Sequence, residues 1–357
     1  MVFSPLEVME EGLDSVALDM DLAPWDGQVY MVPTSFGQIS VTVCGDQDKP
    51  ALITYPDVAL NYLSCFEGLL SCPEAESVLF HHFCIFHIDP PGHEFGAPEN
   101  ASEHSSLSAD DLADQVAEVL DYFGLDEVIG LGVTGGAYIL SLFACKHAER
   151  ALGLILVSPL ARSPSWTEWL HNQAMISLLY FCGMTEFVKQ RLLQRYFSSG
   201  VRDAAASVGG TYKLATIRGF MDQGRSKCFM HYLQAIHHRR GLTEELKKLK
   251  CRTLILVGDQ SPFHPEAMHI SEVMNRRYNA LIEVEGCGSI VTEERPQSML
   301  VPIELFLMGY AFYERSLKSA LSSPRSPLSP PCMAPELLSP ESLGLKLKPI
   351  KTRVPVH

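Results

Sequence analysis

Three segments carry residue spacings that belong to acyl-transfer chemistry. Gly132-Val133-Thr134-Gly135-Gly136 follows an apolar run, Val128–Leu131, and precedes a helical one, Tyr138–His147. Its spacing is that of G-x-S-x-G, a strand-to-helix elbow that holds a nucleophilic oxygen on a strained turn. Gly258-Asp259-Gln260-Ser261-Pro262-Phe263-His264-Pro265 stands where G-D-x-D-x-x-x-P would supply an acid to orient a histidine. Gly286-Cys287-Gly288-Ser289, with Glu294 and Pro296, stands where G-x-G-H-x-x-x-x-E-x-P would supply that histidine. Together they would provide a nucleophile, a general base and the base's orienter.

The three reactive positions read Thr134, Ser261 and Ser289. A β-branched residue is unfavourable in a positive-φ elbow. A serine cannot take the nucleophile's proton near neutral pH. Where a hydrolase often has His-Gly after its third strand, this chain has Tyr55-Pro56-Asp57. No catalytic residue is therefore assigned, and the chain is expected not to be an enzyme. Thr134, Gly135, Ser261 and Ser289 are expected to line a vestigial pocket. His264 is taken as a loop histidine. His81, His82 and His87 lack a carboxylate or cysteine at ligand spacing, so no metal is expected. Glu149 sits at a helix end, not a strand tip, so Gly130, Gly132 and Gly135 do not make a dinucleotide loop, and no cofactor is expected.

These positions need a particular scaffold. Val29–Val32 and Ile39–Val43 flank Phe36-Gly37 and predict a hairpin. Ala51–Tyr55 and Phe83–Ile88 predict short buried strands, and Val128–Leu131, Leu152–Val157, Thr253–Val257 and Ala280–Val284 predict further strands. Ser108, with Asp111 three residues on, opens a helix that Gly124 closes. Further helices are predicted around Glu266–Met274 and from Pro296. Residues 161–249 show only helical patterns. Alternation of strand and helix predicts an α/β-hydrolase fold: a mostly parallel sheet, helices on both faces and a helical cap insertion at about 161–249.

The 357 residues are 46% hydrophobic, enough for a sizeable core, with net charge −14. That sign argues against nucleic acid as a partner. No apolar run is long enough for a membrane span, and the first residues lack a signal-peptide pattern. The ten cysteines form no CxxC and mostly sit in apolar stretches, which fits reduced thiols and a cytoplasmic location. Three parts are expected: an acidic arm at 1–26, a hydrolase-like domain at 27–320, and a disordered Ser/Pro-rich, then basic tail at 321–357.

ALITYPDVALNYLSCF (51–66), HIDPPGHEFGA (87–97), GLGVTGGAYIL (130–140), LILVSPL (154–160), LILVGDQSPF (254–263) and FLMGY (306–310) closely resemble the N-myc downstream-regulated (NDRG) family. SPRSPLSP, ELLSPES and GLKLKPIKTR in the tail are similar to its plant branch, the N-myc downregulated-like proteins. The resemblance implies an α/β-hydrolase-fold protein without hydrolase activity, acting in growth, differentiation and stress signalling. For the plant branch it implies binding of heterotrimeric G-protein βγ subunits and modulation of auxin transport. The family elbow often carries glycine where Thr134 stands. Two alternatives stay open: a small-molecule receptor using the vestigial pocket, and a hydrolase with a rewired triad.

Other segments could meet partners. Ser323, Ser326, Ser329 and Ser339 each precede proline and are candidate phosphorylation sites. The tail's basic residues are expected to be solvated, with peripheral contact to acidic partners or lipid headgroups as the alternative, and no integral membrane protein is expected. The basic segment 237–252 is expected to be a solvated helix face. Trp166 and Trp169 are expected in the core of the cap.

Overall fold

The structure is a computed structural model and describes residues 27–97, 107–206, 212–222 and 224–310. The acidic arm at 1–26, the tail at 321–357 and the four Ser-Pro serines lie outside the described residues.

A hairpin opens the fold. β1 (Gln28–Thr34) and β2 (Gly37–Cys44) pair antiparallel from Gln28↔Val43 to Thr34↔Gly37. β3 (Ala51–Tyr55) leads into α1 (Tyr62–Leu70), then a short turn of helix, α2 (Pro73–Ala75), a π-helical turn (Glu76–Phe80) and β4 (Cys84–Ile88). α3 (Ala109–Phe123), β5 (Val128–Val133), α4 (Gly135–Lys146) and β6 (Ala151–Val157) follow. The sheet resumes with β7 (Arg252–Gly258), α11 (His264–Val273) and β8 (Asn279–Val284), and closes with α12 (Val291–Glu294) and α13 (Gln297–Leu307).

The eight strands form one sheet in the order β1-β2-β4-β3-β5-β6-β7-β8. β2 and β4 are antiparallel, and every pair from β4 to β8 is parallel. β3, β4 and β5 are buried along their whole length, which requires apolar side chains on both faces and helices covering both. This is the mostly parallel α/β-hydrolase sheet that the strand runs predict.

Local signals set the helix ends. Ser108 caps α3 by accepting from Asp111 N–H, Asp111 answers onto the Ser108 N–H, and Gly124 ends the helix at φ +65°. α1 was not predicted. Its capping box uses Asn61 and Ser64 in place of the usual glutamate or glutamine three residues on.

Between β6 and β7 the described chain is helical: α5 (Trp166–Cys182), α6 (Glu186–Tyr196), α7 (Ser199–Ala206), α8 (Tyr212–Met221), α9 (Ser226–His237) and α10 (Thr243–Leu246). One expectation fails here and another holds only in part. Trp166 and Trp169 are not in the core: they stack on each other, ring centroids 5.4 Å apart, with Trp166 73% exposed. α5 buries only Asn172, Met175 and Leu179, one narrow stripe of the helix. The segment 237–252 is a solvated face only in part: Arg240, Lys247, Lys248, Lys250 and Arg252 are exposed, but Arg239 is not. α9 ends at His237, and the Arg239 side chain is wholly buried, bidentate to Glu168 at 2.8 and 2.9 Å. Glu168 is therefore turned to Arg239, and Ser165 caps α5 alone.

Candidate functional site

Chain order reverses between β3 and β5: β4 lies beyond one, β6 beyond the other. Such a switch point opens a crevice at the strands' carboxyl ends. Asp57 follows β3 and Thr134 follows β5, so the crevice brings them together.

Thr134 occupies the elbow at φ +47° and ψ −98°. Its N–H donates to Val157 O (2.8 Å) and its carbonyl accepts from Tyr138 N–H (3.1 Å). Gly136 is needed for space, since a Cβ there would lie 2.1 Å from Tyr55 O. Thr134 is fully buried, and its hydroxyl has no hydrogen-bond partner among the described residues. A nucleophile needs a base within hydrogen-bond reach, and this oxygen has none in contact.

The N–H after the nucleophile position is the elbow's own oxyanion donor. Here Gly135 N–H donates to Asp57 Oδ1 at 2.9 Å. Arg195 of α6 grips the same carboxylate, Nε to Oδ2 at 2.9 Å and Nη2 to Oδ1 at 3.1 Å. Asp57 has no exposed surface. A buried internal carboxylate thus sits where a substrate's developing negative oxygen would be held. Burial opposes the Arg195 charge, but Asp57 more than offsets it and holds the guanidinium above its ordinary value. Gly135 permits the approach, because a Cβ would lie 2.8 Å from Asp57 Oδ1. Tyr232 donates to Pro56 O (3.1 Å) and Tyr196 to Val58 O, fixing the loop that carries Asp57.

Ser261 and Ser289, the positions expected for the acid and the base, are joined to each other. Ser261 Oγ lies 2.9 Å from Ser289 Oγ. Ser289 spends its one proton on Arg195 O at 2.7 Å. Ser261 must therefore donate to Ser289, while accepting from Phe263 N–H at 3.1 Å. The two loops that would orient a catalytic histidine instead fasten to α6. Ser289 N–H and Ile290 N–H reinforce this at Tyr196 O, 2.7 and 3.2 Å away. Arg195 unites the two halves: its guanidinium holds Asp57 and its carbonyl receives Ser289. Its guanidinium also lies 4.5 Å from the Phe263 ring centroid.

His264 begins α11 with its Nε2 3.4 Å from Glu283 Oε2. His87 is buried in β4, hydrogen-bonded to Thr54 at 2.7 Å and stacked on Tyr62.

Thr134, Gly135, Ser261 and Ser289 stand out in the sequence; Arg195, Tyr196 and Tyr232 do not, and Asp57 shows there only as a departure. One signal for Arg195 was present. Val188, Leu192, Arg195 and Tyr196 fall at i, i+4, i+7 and i+8, so a charge interrupts the apolar stripe of α6.

A sequence profile of the Ndr family matches residues 29–314. The chain belongs to the Ndr family. It is 55% identical to Protein NDL3 of Arabidopsis thaliana over 342 residues, covering 96% of this chain and 98% of that protein. It is 54% identical to Protein NDL1 of the same plant, covering 97% and 99%. The plant-branch resemblance drawn from its motifs and tail agrees with these matches. Among solved structures, this Ndr-family chain is similar to a thermophilic esterase from Thermogutta terrifontis, TM-score 0.65 at 17% identity, covering 79% of this chain and 98% of that one. It is also similar to an enol-lactonase from Burkholderia xenovorans, TM-score 0.65 at 16% identity, covering 78% and 100%. At such identities the likeness speaks to the fold alone.

Proposed function

We propose that this chain is a non-catalytic signalling adaptor on an α/β-hydrolase fold. The observation that carries the reading is the Asp57 carboxylate on Gly135 N–H, clamped by Arg195. An oxyanion donor already bound by an internal anion is not free to stabilise a tetrahedral intermediate. Loss of serine and histidine at the nucleophile and base positions supports the same reading.

The adaptor acts by binding protein partners. By family resemblance these are heterotrimeric G-protein βγ subunits, and the outcome is modulation of auxin transport, growth and stress responses in the cytoplasm. Among the described residues, no helix is long and apolar enough to cross a membrane. The Ser-Pro serines of the tail are the proposed phosphorylation sites, each adding about −1.5 to −2 charge. The test is capture of purified βγ dimer on the full chain and on a chain ending at residue 320. Saturable capture by either form supports the adaptor, and the pair tells a fold-borne surface from a tail-borne one. Absence of capture by both contradicts the βγ assignment.

A further inference from the structure

α5, α6, α9 and the loop from β7 to α11 enclose a cleft of about 640 Å³. That lies within the roughly 300–1,000 Å³ typical of small-molecule sites. Its lining includes Pro262 and Phe263 but not Thr134, Ser261 or Ser289, so it is separate from the elbow. Met175, Leu192, Leu233 and Phe263 give it an apolar wall.

The charges around this wall nearly all cancel. Arg162 pairs with Glu266 at 2.6 Å, Arg195 with Asp57 at 2.9 Å, and Glu168 with Arg239 at 2.8 Å. Arg191 is the exception. Its guanidinium lies 5.2 Å from the Phe187 ring centroid and donates to Gln194 Oε1 at 3.1 Å, with no carboxylate partner among the described residues. His171, also in the lining, is held below its ordinary pKa by burial and by Arg191 and Arg195, so it adds no charge at neutral pH.

We propose that this cleft binds an amphipathic monocarboxylate, its apolar body on Met175, Leu192, Leu233 and Phe263 and its carboxylate on Arg191. One unmatched cation suits one negative charge. With the other lining charges paired, no second cation among the described lining residues is left to meet a phosphate dianion. The site does not depend on the adaptor reading, since it makes no use of the elbow.

The test is calorimetric titration of the full chain with octanoate, 4-phenylbutanoate, octanamide and octyl phosphate. At least one carboxylate is expected to bind at one site, about tenfold more tightly than octanamide, as a charge-assisted hydrogen bond implies. Arg191→Gln should erase that difference and Arg191→Lys should retain most of it. Arg191 is solvent-exposed on α6, so both variants should melt with the parent chain. Equal binding of octanoate and octanamide would overturn the proposal. So would tighter binding of octyl phosphate, wild-type affinity in Arg191→Gln, or no saturable binding of either carboxylate.

Discussion

Asp57 and Arg195 stand 138 residues apart and meet in a buried, doubly hydrogen-bonded pair. Removing one member leaves the other buried without its counter-charge. Asp57→Asn and Arg195→Gln are each expected to lower unfolding free energy by about 3–5 kcal/mol. The double variant should lose clearly less than the sum, because the two share one interaction. Urea denaturation of the four chains measures this, and additive losses would contradict the clamp. Gly136→Ala should prevent folding or cost several kcal/mol, since its Cβ would meet Tyr55 O at 2.1 Å. A soluble Gly136→Ala chain with parental melting would refute the close approach. The elbow at Thr134 was legible because its motif is contiguous and its glycines survive. The clamp was not, because no local pattern links residue 57 to residue 195.

At the scale of elements, the strands were legible where period and composition agreed. β3 matches its predicted bounds, and the hairpin turns where Phe36-Gly37 stands. α5 shows the limit of the same reasoning. Its sequence is rich in apolar residues on every side, so composition could not say which side faces inward. The stripe of Met175 and Leu179 does, and the tryptophans do not. Leu179→Ala is expected to cost about 2–5 kcal/mol. Trp166→Ala should stay within about 0.5 kcal/mol of the parent. Equal losses, measured by chemical denaturation, would place the tryptophans in the core after all. The lysines and arginines of the basic run 237–252 are exposed as their charge predicts, except Arg239. Charge alone cannot show that Arg239 is drawn inward by Glu168, a residue 71 positions earlier.

At the scale of the molecule, the net charge of −14 is uneven. The first 30 residues contribute −7, residues 321–357 contribute +3, and the remaining −10 belongs to the chain between. Phosphorylating two tail serines would cancel the positive end, at about −1.5 to −2 each. The folded body carries its own pH dependence. His87 and His93 are buried, and desolvation pulls both down to about 3. Each is neutral when folded, while the unfolded chain protonates near its ordinary value of about 6.5. Their contribution is whole above about pH 6.5 and is lost as pH falls toward 3, by up to about 1.4 kcal/mol per pH unit each. Asp89, pushed upward by burial, works in the opposite sense. The readout is therefore a comparison: between pH 7 and 5, His87→Gln should lose less stability than the parent chain, and an identical loss would contradict the assignment.

The hydrolase frame persists while the elbow's Gly135 N–H is held by the chain's own Asp57. The most direct test is hydrolysis of 4-nitrophenyl acetate and butyrate by the full chain beside Thr134→Ala, with intact-mass detection of any acyl adduct. The clamp predicts no adduct and the same background rate for both chains. Turnover that disappears in Thr134→Ala, or an acyl group on Thr134, would contradict it.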